Sequence, residues 1–211
     1  MAKDDLRDKL VTYLQDAYAM EDQIEEVLEK HEKEADGYPD IQALIHRHIE
    51  ETRQHRQRME ERLNAYSEKP SGVKGAATSL MGNVLGMVSG GRTDTLAKNT
   101  RDEYTTEHLE IAAYGLLMAT AQAYGDTTTI QACELNLRDE VRMASLLEQQ
   151  FPRVALLSLQ QDKIDVPQML FQETQSTWRQ TLDRIHQQVG SLSAGMMPPT
   201  GSETTPGGPQ A

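Results

Sequence analysis

Two histidines and a glutamate stand in the segment HRHIEETRQH, residues 46–55, at positions where an amphipathic helix would be expected to carry leucines. His48, Glu51 and His55 are separated by three and four residues, which places them on one face of a helix. A carboxylate and an imidazole one helical turn apart are a suitable pair of ligands for a transition metal. The segment therefore suggests metal coordination, provided that other helices bring further ligands to the same place.

Three other segments carry glutamates on the face where apolar residues otherwise recur at helical spacing. Glu21 interrupts such a row in the first segment, and Glu140 interrupts one in the last. The segment between them carries Glu103, Glu107 and Glu110 on the same face. Each interruption lies near the middle of its segment, so in an antiparallel bundle these carboxylates would meet at a similar height.

Carboxylates that share a low-dielectric core need compensation, because they repel one another and desolvating each costs on the order of several kcal/mol. Protonation, buried arginines or divalent metal ions could provide it. The apolar faces carry no Arg or Lys near that level, and two divalent ions would roughly neutralise four or five carboxylates. One glutamate alone, such as Glu21, would be a weak signal, but the agreement of four segments favours metal binding.

The elements that must position these residues are long helices separated by turn signals. Helical periodicity predicts four of them, at about residues 3–35, 40–67, 95–124 and 127–150, the last ending before Pro152. Short links make the first and second pairs antiparallel hairpins. The link 68–94 is long, Gly-rich and yet apolar, which suggests a crossover packed along the bundle.

This order predicts an all-α fold, a ferritin-like antiparallel four-helix bundle that occupies residues 1–152 as one domain. A C-terminal extension follows at 153–188, and residues 167–189 have the spacing of a further amphipathic helix. Residues 189–211 have the composition of a disordered tail.

Composition limits the partners. The formal net charge of -12 and a pI near 4.9 argue against binding to nucleic acid or to an anionic membrane, since either would need a clustered basic face. The single cysteine, Cys133, excludes an internal disulfide and lies on an apolar helix face, where a thiol is normally inert. No signal peptide and no membrane span is evident, so we expect a cytoplasmic protein.

Four motifs, in this order, resemble the YciE/YciF family of ferritin-like bacterial proteins. They are LQDAYAMEDQI (14–24), HIEETRQH (48–55), EYTTEHLEIAAYG (103–115) and NLRDEVRMASLL (136–147). The resemblance covers about residues 5–152, and its second and third motifs are the most specific. It implies a di-iron type of carboxylate bundle, a homodimer, with a place in bacterial stress responses and no established reaction. By matching positions it implies the metal ligands Glu21, Glu51, His55, Glu107, Glu110 and Glu140.

One departure concerns the fourth helix. Di-iron bundles commonly supply a Glu and a nearby His from both the second and the fourth helix. Here Glu140 is followed by Met143 and Ala144 at the relevant spacings. Glu110 could complete an oxygen-rich site for Fe or Mn, or one position is weak and the protein holds a single ion.

A second departure concerns the second helix, where Glu51 and His55 are four residues apart and ferritins use three. If the helix is rotated by one residue, Thr52 and Gln54 contribute instead. We assign His48 a supporting role, and Glu103 lies one turn away from the common level.

Three functions are compatible with these features. The first is a two-iron or Fe/Mn oxidoreductase or peroxide scavenger that reacts with peroxide or O2. The second is metal handling without turnover. The third is a structural or interaction protein of the stress response in which metal, if present, only holds the bundle.

Overall fold

The computed structural model describes residues 2–70 and 95–196. Within these ranges the regular structure is entirely α-helical, and no strand is present. The helices are α1 (Ala2–Glu34), α2 (Pro39–Ala65), α3 (Thr95–Tyr124), α4 (Thr127–Gln161) and α5 (Gln168–Met196). The predicted all-α, ferritin-like bundle with a C-terminal helix is confirmed. Most of the predicted crossover, residues 71–94, and the end of the predicted tail, residues 197–211, lie outside the described residues.

Both hairpin turns contain a glycine in the left-handed region, Gly37 with φ of 90° and Gly125 with φ of 89°. Other residues rarely adopt this conformation, which ends a helix and reverses the chain. Pro39 then begins α2, at a position that needs no N–H donor. Asp126 caps α4 by accepting a hydrogen bond from the backbone N–H of Thr129 at 3.0 Å.

In the bundle α1 packs against α2 and α3, and α4 packs against α3 and α2. The helices α1 and α3 are antiparallel, as two hydrogen-bonded pairs show: Glu34 with Asn99 and Glu21 with Tyr114. The neighbouring pair α2 and α4 is also antiparallel. The middle of each helix therefore meets the middle of its neighbours.

Apolar side chains fill the bundle on both sides of that middle level. On α1 they are Leu10, Leu14, Ile24 and Leu28, and the corresponding positions of the other helices include Ile45, Met59, Leu117, Cys133 and Leu147. Burial of each such side chain contributes on the order of 1.5–3 kcal/mol to folding. The polar level is thus enclosed between two apolar layers.

The prediction that the fourth helix ends before Pro152 was wrong, since α4 continues through it to Gln161. Proline has no N–H, so the carbonyl of Glu148, four residues earlier, loses its helical partner. The indole Nε1 of Trp178 on α5 donates to this carbonyl at 2.9 Å. A hydrogen bond from another helix therefore replaces the missing one. The helix α5 itself ends at Met196 rather than at about 189, and no proline interrupts it within these bounds.

Candidate metal centre

The middle level of the bundle contains four glutamates and two histidines, each with 1% or less of its surface exposed. They are Glu21 on α1, His48 and His55 on α2, Glu107 and Glu110 on α3, and Glu140 on α4. Five of these six residues belong to the predicted ligand set, and His48 is the addition. The helices bring them together because each lies on the buried face near the centre of its helix.

These side chains form two groups that share Glu140. In the four-residue group, ligand atoms of His48, Glu107, Glu110 and Glu140 lie within 4.8 Å of one another. In the three-residue group the same limit holds for Glu21, His55 and Glu140. One imidazole belongs to each group, so the two groups have similar chemistry but different numbers of ligand atoms.

The closest contacts within the groups join imidazoles to carboxylates. The distance is 2.9 Å between His48 Nε2 and Glu107 Oε1, and 2.7 Å between His55 Nδ1 and Glu140 Oε1. Glu21 Oε2 lies 3.8 Å from His55 Nδ1. The first two contacts have the length of hydrogen bonds but not the direction, because these atoms remain without a hydrogen-bond partner among the described residues.

Buried polar atoms without partners are concentrated here. They include both ring nitrogens of His48 and His55 and both carboxylate oxygens of Glu107 and Glu110. Buried side-chain nitrogen and oxygen atoms are ordinarily paired. A cluster of unpaired imidazole nitrogens and carboxylate oxygens is what a metal ion would satisfy, so the residues present fit such an ion.

Burial and neighbouring charges shift the pKa values of these side chains. Burial raises the pKa of Glu21, Glu107 and Glu110 above the usual carboxylate range, and the charge of Glu140 acts in the same direction. Burial alone would lower the pKa of His48, but the adjacent Glu107 carboxylate outweighs it and raises that pKa. These shifts all act to reduce the net negative charge of the cluster.

Tyr114 orients one of the carboxylates. Its hydroxyl donates a hydrogen bond to Oε1 of Glu21, and its side chain is fully buried. The ring meets that of His55 edge-on, with centroids 6.3 Å apart. Glu21 Oε2 is left unpaired, so only this oxygen is free for a ligand. The sequence signal for Tyr114 is its place four residues after Glu110 and seven after Glu107, on the same helix face.

Glu51, a predicted ligand, lies outside both groups. Its Oε1 is 2.8 Å from Nη2 of Arg142, and Thr52 occupies the fully buried face of α2 in its place. Gln54, which the rotated alternative would have used, is exposed. Glu51 is three residues after His48 and four before His55, whereas Thr52 is four after His48 and three before His55. Both patterns place the residue on the helix face of the histidines, so spacing alone could not decide between Glu51 and Thr52.

The fourth helix supplies no nitrogen ligand after Glu140, since Met143 and Ala144 are both buried there. The second imidazole comes from α2 instead, where His48 and His55 serve different groups. Glu103 lies apart from both groups, as expected. Its Oε1 is 2.7 Å from Nδ1 of His31, a buried histidine of α1.

The chain is similar to proteins of one known family. Residues 5–159 match the model of a family described as a domain of unknown function, DUF892. The chain belongs to the DUF892 family. This confirms the resemblance to YciE/YciF proteins that the four motifs indicated, because the DUF892 protein also shares its fold with the E. coli stress protein YciF. That structure is 21% identical with a TM-score of 0.58, and the match covers 71% of this chain and 96% of that one.

Two further solved structures are similar to this DUF892 protein at 28% identity. One is a protein of Xanthomonas campestris pv. campestris, with a TM-score of 0.64 and coverage of 75% of this chain and 99% of that one. The other is YcfI of Rhodopseudomonas palustris, for which a structural role has been suggested. Its TM-score is 0.58, and the match covers 67% of this chain and 92% of that one.

The six buried residues of the DUF892 protein have the same composition as the ligand sets of di-metal carboxylate bundles, which use four carboxylates and two histidines. The distribution differs, because both histidines are on α2 and two carboxylates are on α3. The buried His and Glu groups could hold a metal ion. No helix among the described residues is long and apolar enough to cross a membrane.

Proposed function

We propose that this protein binds two divalent ions, both Fe or one Fe and one Mn, and reacts with peroxide or O2 in an oxidative or general stress response. The observation that carries the proposal is the set of buried imidazole nitrogens and carboxylate oxygens that lack hydrogen-bond partners among the described residues. The similarity to YciF, described as a stress protein, supports the physiological part.

In this proposal His48, Glu107 and Glu110 would hold one ion, Glu21 and His55 would hold the other, and Glu140 would serve both. Sites rich in carboxylate with an imidazole suit Fe or Mn. Two divalent ions would balance the charge of the four carboxylates. When bound, such ions supply redox equivalents for reaction with O2 or peroxide.

The protein side chains contribute the environment of the ions. The apolar layers above and below exclude bulk water from the centre, which strengthens each electrostatic interaction inside it. Tyr114 fixes the orientation of Glu21 through its hydroxyl. The imidazole–carboxylate pairs hold protons that can leave when cations enter.

Elemental analysis of protein produced without chelators tests the binding part. We expect about two ions of Fe or Mn per chain, and less than half of that in the double variant Glu107→Ala, Glu140→Ala. Glu103→Gln is the matched control, because it replaces a buried glutamate of α3 that lies outside both groups. A wild-type ratio near zero would exclude the proposal.

The reaction is tested with protein loaded with Fe(II) under anaerobic conditions and then exposed to O2 or to hydrogen peroxide. Consumption of the oxidant should be faster in the wild type and in Glu103→Gln than in the double variant. Equal rates in all three proteins would remove the catalytic part and leave metal binding.

A second candidate function is a non-catalytic, metal-binding or structural stress protein that forms homodimers. The imidazole–carboxylate contacts of His48 with Glu107 and His55 with Glu140 favour it, because they compensate charge without metal. The structural role suggested for YcfI also supports this second candidate function. Chelator treatment that leaves the helical signal and the sedimentation coefficient unchanged, in protein that contains no Fe or Mn, would support this function over the first.

A further inference from the structure

Thr52 differs from four other helical threonines of this protein. Thr12, Thr100, Thr105 and Thr120 each donate a hydroxyl hydrogen bond to the carbonyl four residues earlier, which is the usual arrangement. Thr52 is fully buried, yet its Oγ1 has no hydrogen-bond partner among the described residues. A buried hydroxyl without a partner is unfavourable, so its position calls for a ligand outside the helix.

The place of Thr52 on α2 relates it to the candidate metal centre. It follows His48 by four residues and precedes His55 by three, so all three share one helix face. In di-metal carboxylate bundles the residue three before the ligand histidine is a glutamate. Thr52 therefore stands where such bundles have a carboxylate, with a shorter and uncharged side chain.

Beyond Glu21 and Glu140, no described carboxylate belongs to the three-residue group. Glu21 offers only Oε2, because Tyr114 donates to its Oε1. Glu51 is paired with Arg142 through its Oε1, and its buried Oε2 has no partner among the described residues. Oδ2 of Asp139 lies 3.5 Å from Nε2 of His55, but neither carboxylate belongs to the group. An ion held by Glu21, His55 and Glu140 would have three protein ligands, and Fe or Mn sites with three protein ligands keep positions open for an exogenous molecule.

We propose that the three-residue group binds a small exogenous oxygen ligand of the hydroperoxide class, and that the Thr52 hydroxyl holds it by a hydrogen bond. The inference rests on the proposed metal-binding function and assigns the ligand to one of the two ions. A threonine hydroxyl suits this ligand, since it can both donate to a hydroperoxide oxygen and accept from its O–H. The four-residue group has one ligand residue more, with Glu110 as a further carboxylate, so it would leave fewer coordination positions for an exogenous ligand.

Azide is the probe, since it is a small anion that can accept a hydrogen bond and changes the visible absorption of Co(II) or Fe(III). The full chain is loaded with Co(II) and titrated with azide. We expect the dissociation constant of azide to rise roughly tenfold in Thr52→Val and to change little in Thr52→Ser, which keeps the hydroxyl. Thr100→Val is the matched control, because Thr100 is also buried but its hydroxyl is bonded to Leu96.

Thr52→Glu restores the glutamate spacing of other di-metal bundles. Its carboxylate should occupy the open position, so we expect azide binding to be lost while the Co(II) to protein ratio is kept. Unchanged azide affinity in Thr52→Val, with two ions still bound, would overturn this inference and leave the proposed function standing. A wild-type chain that binds no Co(II), Fe or Mn would overturn both.

Discussion

Arg142 on α4 holds Glu51 on α2 outside the candidate metal centre, with 2.8 Å between Nη2 of the arginine and Oε1 of the glutamate. The same guanidinium lies 3.3 Å from Oδ1 of Asp139. The other oxygen of Asp139 is 3.5 Å from Nε2 of His55. Arg142 thus places a positive charge beside the three-residue group and keeps two carboxylates engaged.

Arg142→Gln should strengthen the binding of divalent cations by roughly threefold to tenfold, because it removes a nearby positive charge and frees Glu51. Competition with a chromogenic chelator measures the affinity. Arg153→Gln is the matched control, since Arg153 also joins α4 to α2, through Asp40, but at the far end of the bundle. Equal affinities in the two variants would show that Glu51 and Arg142 do not influence the centre.

Thr52→Val should raise the thermal midpoint of the metal-free protein, because it replaces an unpaired buried hydroxyl by a methyl group of similar shape. The expected stabilisation is about 1 kcal/mol, measured by circular dichroism during heating in the presence of a chelator. Thr100→Val should instead be neutral or destabilising, since that hydroxyl is already bonded. A lower midpoint for Thr52→Val would mean that its hydroxyl has a partner in the metal-free state.

Tyr114→Phe should weaken one metal position and spare the other. Loss of the hydrogen bond to Glu21 frees that carboxylate to rotate, and removal of such a supporting contact typically lowers metal affinity by about 10–100-fold. A metal titration should therefore change from two tight steps to one tight and one weak step. Tyr104→Phe is the comparison, because the Tyr104 hydroxyl lies near Glu148, away from both groups. Two equally weakened steps would contradict the assignment of Glu21 to one ion.

The cap of α4 should make stability depend on pH in the acid range. Burial opposes ionisation of Asp126, but hydrogen bonds from Thr129, Tyr66 and Arg62 outweigh it and lower its pKa to about 2. Because this pKa is below its unfolded value of about 3.9, the ionised cap contributes stability that is complete above about pH 4. That contribution is lost as the pH falls through about 2.

Asp126→Asn keeps a capping side chain but removes the charge paired with Arg62. It should therefore lose about 1 kcal/mol of stability relative to the wild type at neutral pH, and the difference should shrink between pH 4 and pH 2. Urea unfolding at several pH values measures it. Asp36→Asn, in the other hairpin turn and exposed, should show no such convergence. A constant difference for Asp126→Asn across this range would remove the role of its charge.

Trp178 on α5 and Pro152 on α4 should be energetically coupled, because the indole of Trp178 bonds the Glu148 carbonyl that Pro152 leaves without a helical partner. Trp178→Phe removes the indole donor to the Glu148 carbonyl and should cost about 1 kcal/mol. In a Pro152→Ala background an N–H from residue 152 can bond that carbonyl, so the same change should cost less. A double-mutant cycle in urea unfolding measures the difference, and additive effects would show that the two features are independent.

Much of the architecture could be predicted from the sequence, because helix periodicity and the turn glycines are local signals. The ends of α1, α2 and α3 lie close to their predicted positions. The end of α4 could not be predicted from Pro152, since the group that compensates for this proline, Trp178, belongs to another helix.

The candidate site was predictable to the level of the helix but not always to the residue. Glu21 and Glu140 stand alone on otherwise apolar faces, so no neighbouring residue competes for the assignment. On α2, Glu51 and Thr52 are both at acceptable spacings from His48 and His55. Chemical type favoured Glu51, whereas the packing of α2 against its neighbours buries Thr52.

Both imidazoles of the centre belong to one helix, and this has a consequence for how the bundle can deform. His48 and His55 are two turns apart on α2, so their separation along the helix axis is set at about 10 Å by the rise per residue. Any tilt or slide of α2 moves both rings as one body, while the carboxylates of α1, α3 and α4 stay behind. The two halves of the centre should therefore loosen or tighten together, and a single displacement of α2 is sufficient to change the geometry of both ligand groups.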